Sequence, residues 1–145
     1  MERSCLLVVT VETNELRFSS RIEFVDEAAA AVAGIIARAG ISEEAAFGID
    51  MAVREAITNA MLHGNKFDET KLVEISVKRT STLLEISVRD QGAGFNPVDI
   101  PDPTQEENLL KASGRGIFFM RNFMEEVDWS VHPEGGTIVR MIKRL

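Results

Sequence analysis

Glu55, Asn59 and His63 stand four residues apart in the segment SEEAAFGIDMAVREAITNAMLHG, which runs from Ser42 to Gly64. At that spacing side chains line up along one edge of a helix, because a turn takes about 3.6 residues. A carboxylate on such an edge can take a proton, and a carboxamide oxygen is a hard ligand for a divalent cation. An ordinary amphipathic helix with a polar edge would show the same row, so both readings stay open at this point.

Three later stretches could share a site with that row. Asp90-Gln91-Gly92-Ala93-Gly94-Phe95 closes an apolar strand. Its glycines permit a sharp turn and close approach to a ligand, and the Asp90 carboxylate could accept a hydrogen bond from an exocyclic amine such as adenine N6. A plain glycine turn explains the same residues. Ser113-Gly114-Arg115-Gly116 opens a further helix. Backbone N–H groups there suit phosphate oxygens, with Lys111 and Arg115 adding positive charge, although a hinge and solvated cations would read alike. Gly135-Gly136-Thr137 turns a hairpin and could set the Thr137 hydroxyl near a base. His132 reads as a turn residue, and Phe118, Phe119, Met120, Phe123 and Met124 read as core.

The elements that must hold these groups follow from hydrophobic period and breakers. Cys5–Val11 reads as a strand, with a turn at Asn14-Glu15 before Leu16-Arg17-Phe18. Ser19 or Ser20 would cap a helix reaching Arg38, and Gly40 would end it. Ser42, followed by Glu43 and Glu44, starts the next helix; its face is Ile49, Val53, Ala56, Ile57 and Ala60, and Gly64 would stop it as the C′ residue. Leu72–Arg79 and Leu83–Asp90 alternate apolar and polar around a Thr80-Ser81-Thr82 turn. A long irregular loop, Gln91–Ser113, reads as a lid. A helix over Gly116–Glu126 and a hairpin of Val127–Val131 with Thr137–Ile142 complete the chain. The order β-α-α-β-β-α-β-β predicts an α+β two-layer sandwich, with helices on one face of a mostly antiparallel mixed sheet.

Size and composition narrow the function classes. The 145 residues fit one domain, residues 1–145, and 45% hydrophobic content argues against disorder. The apolar runs are too short for a bilayer span and the start lacks signal-peptide anatomy, so a soluble, cytoplasmic protein is expected, without a membrane partner. One cysteine and two histidines exclude an intramolecular disulfide and make a multi-histidine zinc site a poor expectation. A net charge of −7 speaks against direct nucleic-acid binding.

Taken in order, Glu55-x-x-x-Asn59 with His63-Gly64, Asp90-x-Gly92-x-Gly94, Gly114-x-Gly116 and Gly136-Thr137 resemble the motifs of the GHKL (Bergerat-fold) ATPases, which include gyrase and the histidine-kinase ATPase modules. The stretch from Glu55 to Gly64 is most similar to the N box of the anti-sigma-factor serine/threonine kinases of bacterial sporulation and stress responses. Gly116 to Met124 resembles the helix after their lid, and the likeness covers about residues 15 to 145. It implies a Bergerat-type ATP-binding fold with ATP and Mg²⁺ as cofactors. Asn59 would be the metal ligand, Asp90 the adenine contact, and Gly92 and Gly94 the walls of the base pocket. Gly114 and Gly116 would border the phosphates, Thr137 would support the base, and Glu55 would be the general base.

The implied activity is phosphorylation of a serine or threonine on an anti-anti-sigma (STAS-type) partner, together with sequestration of a sigma factor. A nucleotide-gated binding module without phosphoryl transfer is the alternative. The kinases carry a lid arginine shortly before Ser-Gly-x-Gly, where this chain has Leu110, Lys111 and Ala112; Lys111 or Arg115 would then have to substitute. The likeness also suggests a homodimer, with Cys5–Val11 as a candidate edge.

Overall fold

The computed structural model describes residues 11–92 and 120–145. Its elements are strand β1 (Glu12–Ser19), helices α1 (Phe24–Ile36) and α2 (Glu43–Asn59), and strands β2 (Leu72–Arg79), β3 (Leu83–Arg89), β4 (Glu126–Val131) and β5 (Thr137–Arg144). The five strands form one sheet in the order β1-β2-β3-β5-β4. Every pairing between these strands is antiparallel, so the parallel component of the expected mixed sheet is absent from the described residues.

Alternation in β2 and β3 dictates which sheet face is covered. Val73, Ile75 and Val77, with Leu84, Ile86 and Val88, are buried on one side, joined by Val139 and Met141 of β5. Against them pack Ala28, Val32 and Ile36 of α1 and Ile49, Val53, Ala56 and Ile57 of α2. At ~25 cal/mol per Å², this shared apolar burial is the main force holding both layers together. Arg54 of α2 ties the helices by pairing with Asp26 of α1 as well as with Asp50.

The helix signals divide into those the structure bears out and those it corrects. Ser42 caps α2, its Oγ accepting from Ala45 N at 3.1 Å, and Gly40 ends the preceding helical turn in the left-handed region at φ 69°. Gly48 sits mid-helix because a Cβ there would lie 2.6 Å from Cδ1 of Phe123.

Asn14 and Glu15 do not turn the chain; both lie within β1, paired with Val77 and Ser76. The turn tendency of Asn-Glu yields to a ladder that turns Leu16 and Phe18 toward the core. Neither Ser19 nor Ser20 caps α1, whose N-cap is Glu23 without a side-chain bond. Their hydroxyls instead donate to the Glu69 and Lys71 carbonyls across the structure. The late helix ends at Phe123, and Glu126, expected on it, opens β4 opposite Ile142. The Cys5–Val11 strand lies outside the described residues apart from Val11, as does the lid beyond Gly92.

Candidate functional site

Helix α2 places Glu55 and Asn59 one turn apart as their spacing required, and His63 follows in the turn beyond its end. Glu55 and Asn59 are half-buried, and His63 is exposed. Asn59 Oδ1 is buried and accepts no hydrogen bond among the described residues. An orphan buried carbonyl oxygen costs about 1–3 kcal/mol, so its retention fits a partner delivered from outside the chain, such as a hard cation. Among the described residues no cluster of three or more His, Cys, Asp or Glu could hold a metal.

After Asn59 the helix widens into a π-helical turn, Ala60–Gly64, closed by Asn65 N donating to Ala60 O at 2.8 Å. Such turns concentrate at functional sites. Gly64 is not the left-handed C′ residue the sequence suggests, since among the described residues the left-handed glycines are Gly40, Gly135 and Gly136. It is glycine for want of space: a Cβ on Gly64 would collide with the Asp90 carboxylate. Two further glycines close around the same residue. A Cβ on Gly92 would strike the Gly64 carbonyl, and one on Gly136 would strike the Asp90 carbonyl.

Asp90 is thus gripped from three sides and is only 6% exposed. Its Oδ1 accepts from Gly92 N at 3.0 Å and Thr137 N at 3.1 Å, while Asp90 N donates to Thr137 O at 3.0 Å. Burial pushes its pKa above the ordinary carboxylate value, and the two backbone donors oppose that push without cancelling it. Both described backbone donors go to Oδ1, while Oδ2 lies beside Gly64.

The structure therefore brings Asp90, Gly92 and Thr137 together, with Asn59 and Glu55 N-terminal to the Gly64 contact on α2. Thr137 contributes its backbone, N–H and carbonyl both, to Asp90. Gly94, Lys111, Gly114, Arg115 and Gly116 lie outside the described residues. Sequence reasoning passed over Gly136 as a packing position and missed Asn65 entirely. Asn65 is buried to 1% exposure and links Ser20, Leu72 and Gln91. The available signal was a polar residue directly after His63-Gly64, where the helix must hand the chain on.

Comparison with known proteins places this arrangement. A histidine kinase-like ATPase domain family matches residues 18–143. The chain belongs to this family. It is 34% identical over 134 residues to an anti-sigma F factor of Bacillus cytotoxicus, covering 90% of each chain. It is 32% identical over 135 residues to an anti-sigma F factor of Heyndrickxia coagulans, covering 90% of this chain and 91% of that one. Within the GHKL ATPases it therefore falls in the anti-sigma kinase branch. Its fold is similar to part of the chain in the crystal structure of the RsbU and RsbW domains of Rv1364c from Mycobacterium tuberculosis, with a TM-score of 0.67 at 17% identity over 92% of this chain. The match spans 32% of that longer chain. Among the described residues no helix is long and apolar enough to cross a membrane.

Proposed function

We propose that this chain is a cytoplasmic anti-sigma regulator that binds Mg-ATP, phosphorylates a serine or threonine of an anti-anti-sigma partner, and holds a sigma factor. The observation that carries the nucleotide reading is the buried Asn59 Oδ1, without a partner among the described residues and one helical turn beyond Glu55. Asp90, with its glycine walls, supplies the second fixed point.

In this reading the Asp90 carboxylate accepts the adenine amine, and the close packing of Gly64, Gly92 and Gly136 holds that acceptor still. Asn59 Oδ1 is the protein's ligand to Mg²⁺. The cation, when bound, neutralises charge on the phosphates. Glu55 takes the proton of the attacking hydroxyl as its oxygen bonds to the γ-phosphorus and the bond to the ADP oxygen breaks. Positioning and charge neutralisation dominate phosphoryl transfer, so a small constellation is sufficient.

Calorimetry with ATP, with and without Mg²⁺, on wild type and Asn59→Ala tests the binding half. Wild type should bind more tightly with Mg²⁺, and Asn59→Ala should lose that gain; an unchanged Mg²⁺ dependence refutes the assignment. Labelled ATP with a STAS-type partner tests transfer, and label transfer surviving Glu55→Gln removes Glu55 as the base. The residues Leu110-Lys111-Ala112, where the kinases carry a lid arginine, favour a second reading. There the same site gates partner binding without transfer, and ATP binding with no label on any partner would select it.

A further inference from the structure

Asn65 is the most thoroughly engaged polar side chain among the described residues, and the function above does not use it. Its Oδ1 accepts from Gln91 N at 2.7 Å, and its Nδ2 donates to Ser20 Oγ at 2.7 Å and Leu72 O at 3.0 Å. Ser20 Oγ in turn donates to Lys71 O at 2.9 Å. Gln91 returns the contact, its Oε1 accepting from Leu72 N at 2.7 Å. One buried carboxamide thereby joins the ends of β1 and α2, the start of β2, and the turn that follows Asp90. Two of its partners, Gln91 N and Leu72 O, are backbone groups in part-buried positions, where a bond made within the protein offsets lost water.

We infer that Asn65 is a positioning residue for base recognition: through Gln91 N–H it fixes the Asp90–Gly92 turn, and so the direction of the Asp90 carboxylate. The chain of contact is short. Gln91 N belongs to the peptide unit whose carbonyl, that of Asp90, rests under Gly136. With that peptide plane held by Asn65 on one side and Gly136 on the other, Asp90 cannot rotate its carboxylate away without breaking its bonds to Gly92 and Thr137. A buried hydrogen-bonded support of this kind keeps an acceptor within the narrow geometry that recognition needs. The inference rests on the reading of Asp90 as the acceptor for the adenine amine.

The test compares ATP with purine riboside triphosphate, which lacks the 6-amino group. Wild type should prefer ATP, and in folded Asn65→Ala that preference should fall about fivefold or more. A merely structural role would weaken both nucleotides alike and leave their ratio intact, and that result overturns the inference. No preference in wild type would instead remove the Asp90 reading, and this inference with it. Should Asn65→Ala fail to fold, amide exchange in wild type decides: the Gln91 N–H should be protected like those of β2 and β3. Exchange at the rate of an open loop amide overturns the proposal.

Discussion

The two faces of the sheet handle charge in opposite ways. On the face away from the helices, Arg17 meets Glu74 at 3.3 Å, Glu74 meets Arg89 at 3.0 Å, and Arg140 joins Glu85 and Asp128 at 2.9 and 3.0 Å. Arg17–Glu74, Glu74–Arg89 and Asp128–Arg140 sit directly across strands, and Glu85 lies diagonal to Arg140. Apart from the half-buried Arg89 these side chains stay open to water, where opposite charge is worth roughly a few tenths of a kcal/mol. At the end of α2, by contrast, Asp90 is buried against three glycines, with backbone donors as its fixed partners. A lone carboxylate held against its own desolvation is poor structural economy. The contrast teaches that the outer charges cost little because water and opposite charge share them, whereas the buried Asp90 carries a desolvation cost that the proposed role of ligand acceptor would account for.

The sharpest way to break this contrast is to add a single methyl group on each side of it. Gly136 has φ 91° and would drive a Cβ into the Asp90 carbonyl, so Gly136→Ala should cost about 3 kcal/mol or more. Urea denaturation would show it, and the loss should come with weakened ATP binding. Gly48→Ala is the companion change. Its intruding methyl meets the ring of Phe123 rather than backbone, so a cost of about 1–2 kcal/mol is expected, without loss of Mg²⁺-dependent ATP affinity.

Asp90→Asn separates stability from function. The amide keeps an Oδ1 for Gly92 and Thr137 but offers a donor where the adenine amine needs an acceptor, so ATP affinity should fall about 10- to 100-fold. Stability without nucleotide should move the other way. Because burial raises the Asp90 pKa in the folded state, the protein loses stability as pH rises through that raised value and the group ionises. The variant escapes this loss. It should therefore melt above wild type at neutral pH, and the gap should close as pH falls toward the ordinary carboxylate range. A gap that widens on acidification would contradict the burial argument.

What could be read from the residues divides along the same line. The Ser42 cap, the apolar face of α2 and the alternation in β2 and β3 were legible, because each is written within a few residues of itself. The motifs Glu55-x-x-x-Asn59 and Asp90-x-Gly92 were equally local, and the structure brings Asp90 against Gly64, five residues beyond Asn59. The errors all concern residues whose partners are distant. Asn14-Glu15 has the local chemistry of a turn, yet β2 recruits it into a ladder. Ser20 has the chemistry of a cap, yet Lys71 and Asn65 take its hydroxyl. Gly64 follows a helix as a left-handed stop would, yet what excludes a side chain there is Asp90, far along the chain. Spacing along one helix cannot report a collision across the fold.

Arg89 links the two faces and sets the smaller effects in order. It is 16% exposed, bonds Glu74 through one terminal nitrogen and reaches the Gly135 carbonyl with the other at 3.1 Å. It thus ties the outer charge row to the glycine turn that grips Asp90. Arg89→Gln should cost about 1–2 kcal/mol, since the Gly135 carbonyl loses a charged donor and Glu74 a half-buried partner. Arg17→Ala removes the opposite end of the same row, where the arginine side chain is 67% exposed. There water replaces the lost partner and salt already screens the pair, so the change should stay within about 0.5 kcal/mol. Measuring both in low and high salt sharpens the comparison: the Arg17 effect should vanish in high salt and the Arg89 effect should largely persist. Equal losses at the two positions would mean that the row acts as one unit, and the division between a solvated face and a gripped carboxylate would fail.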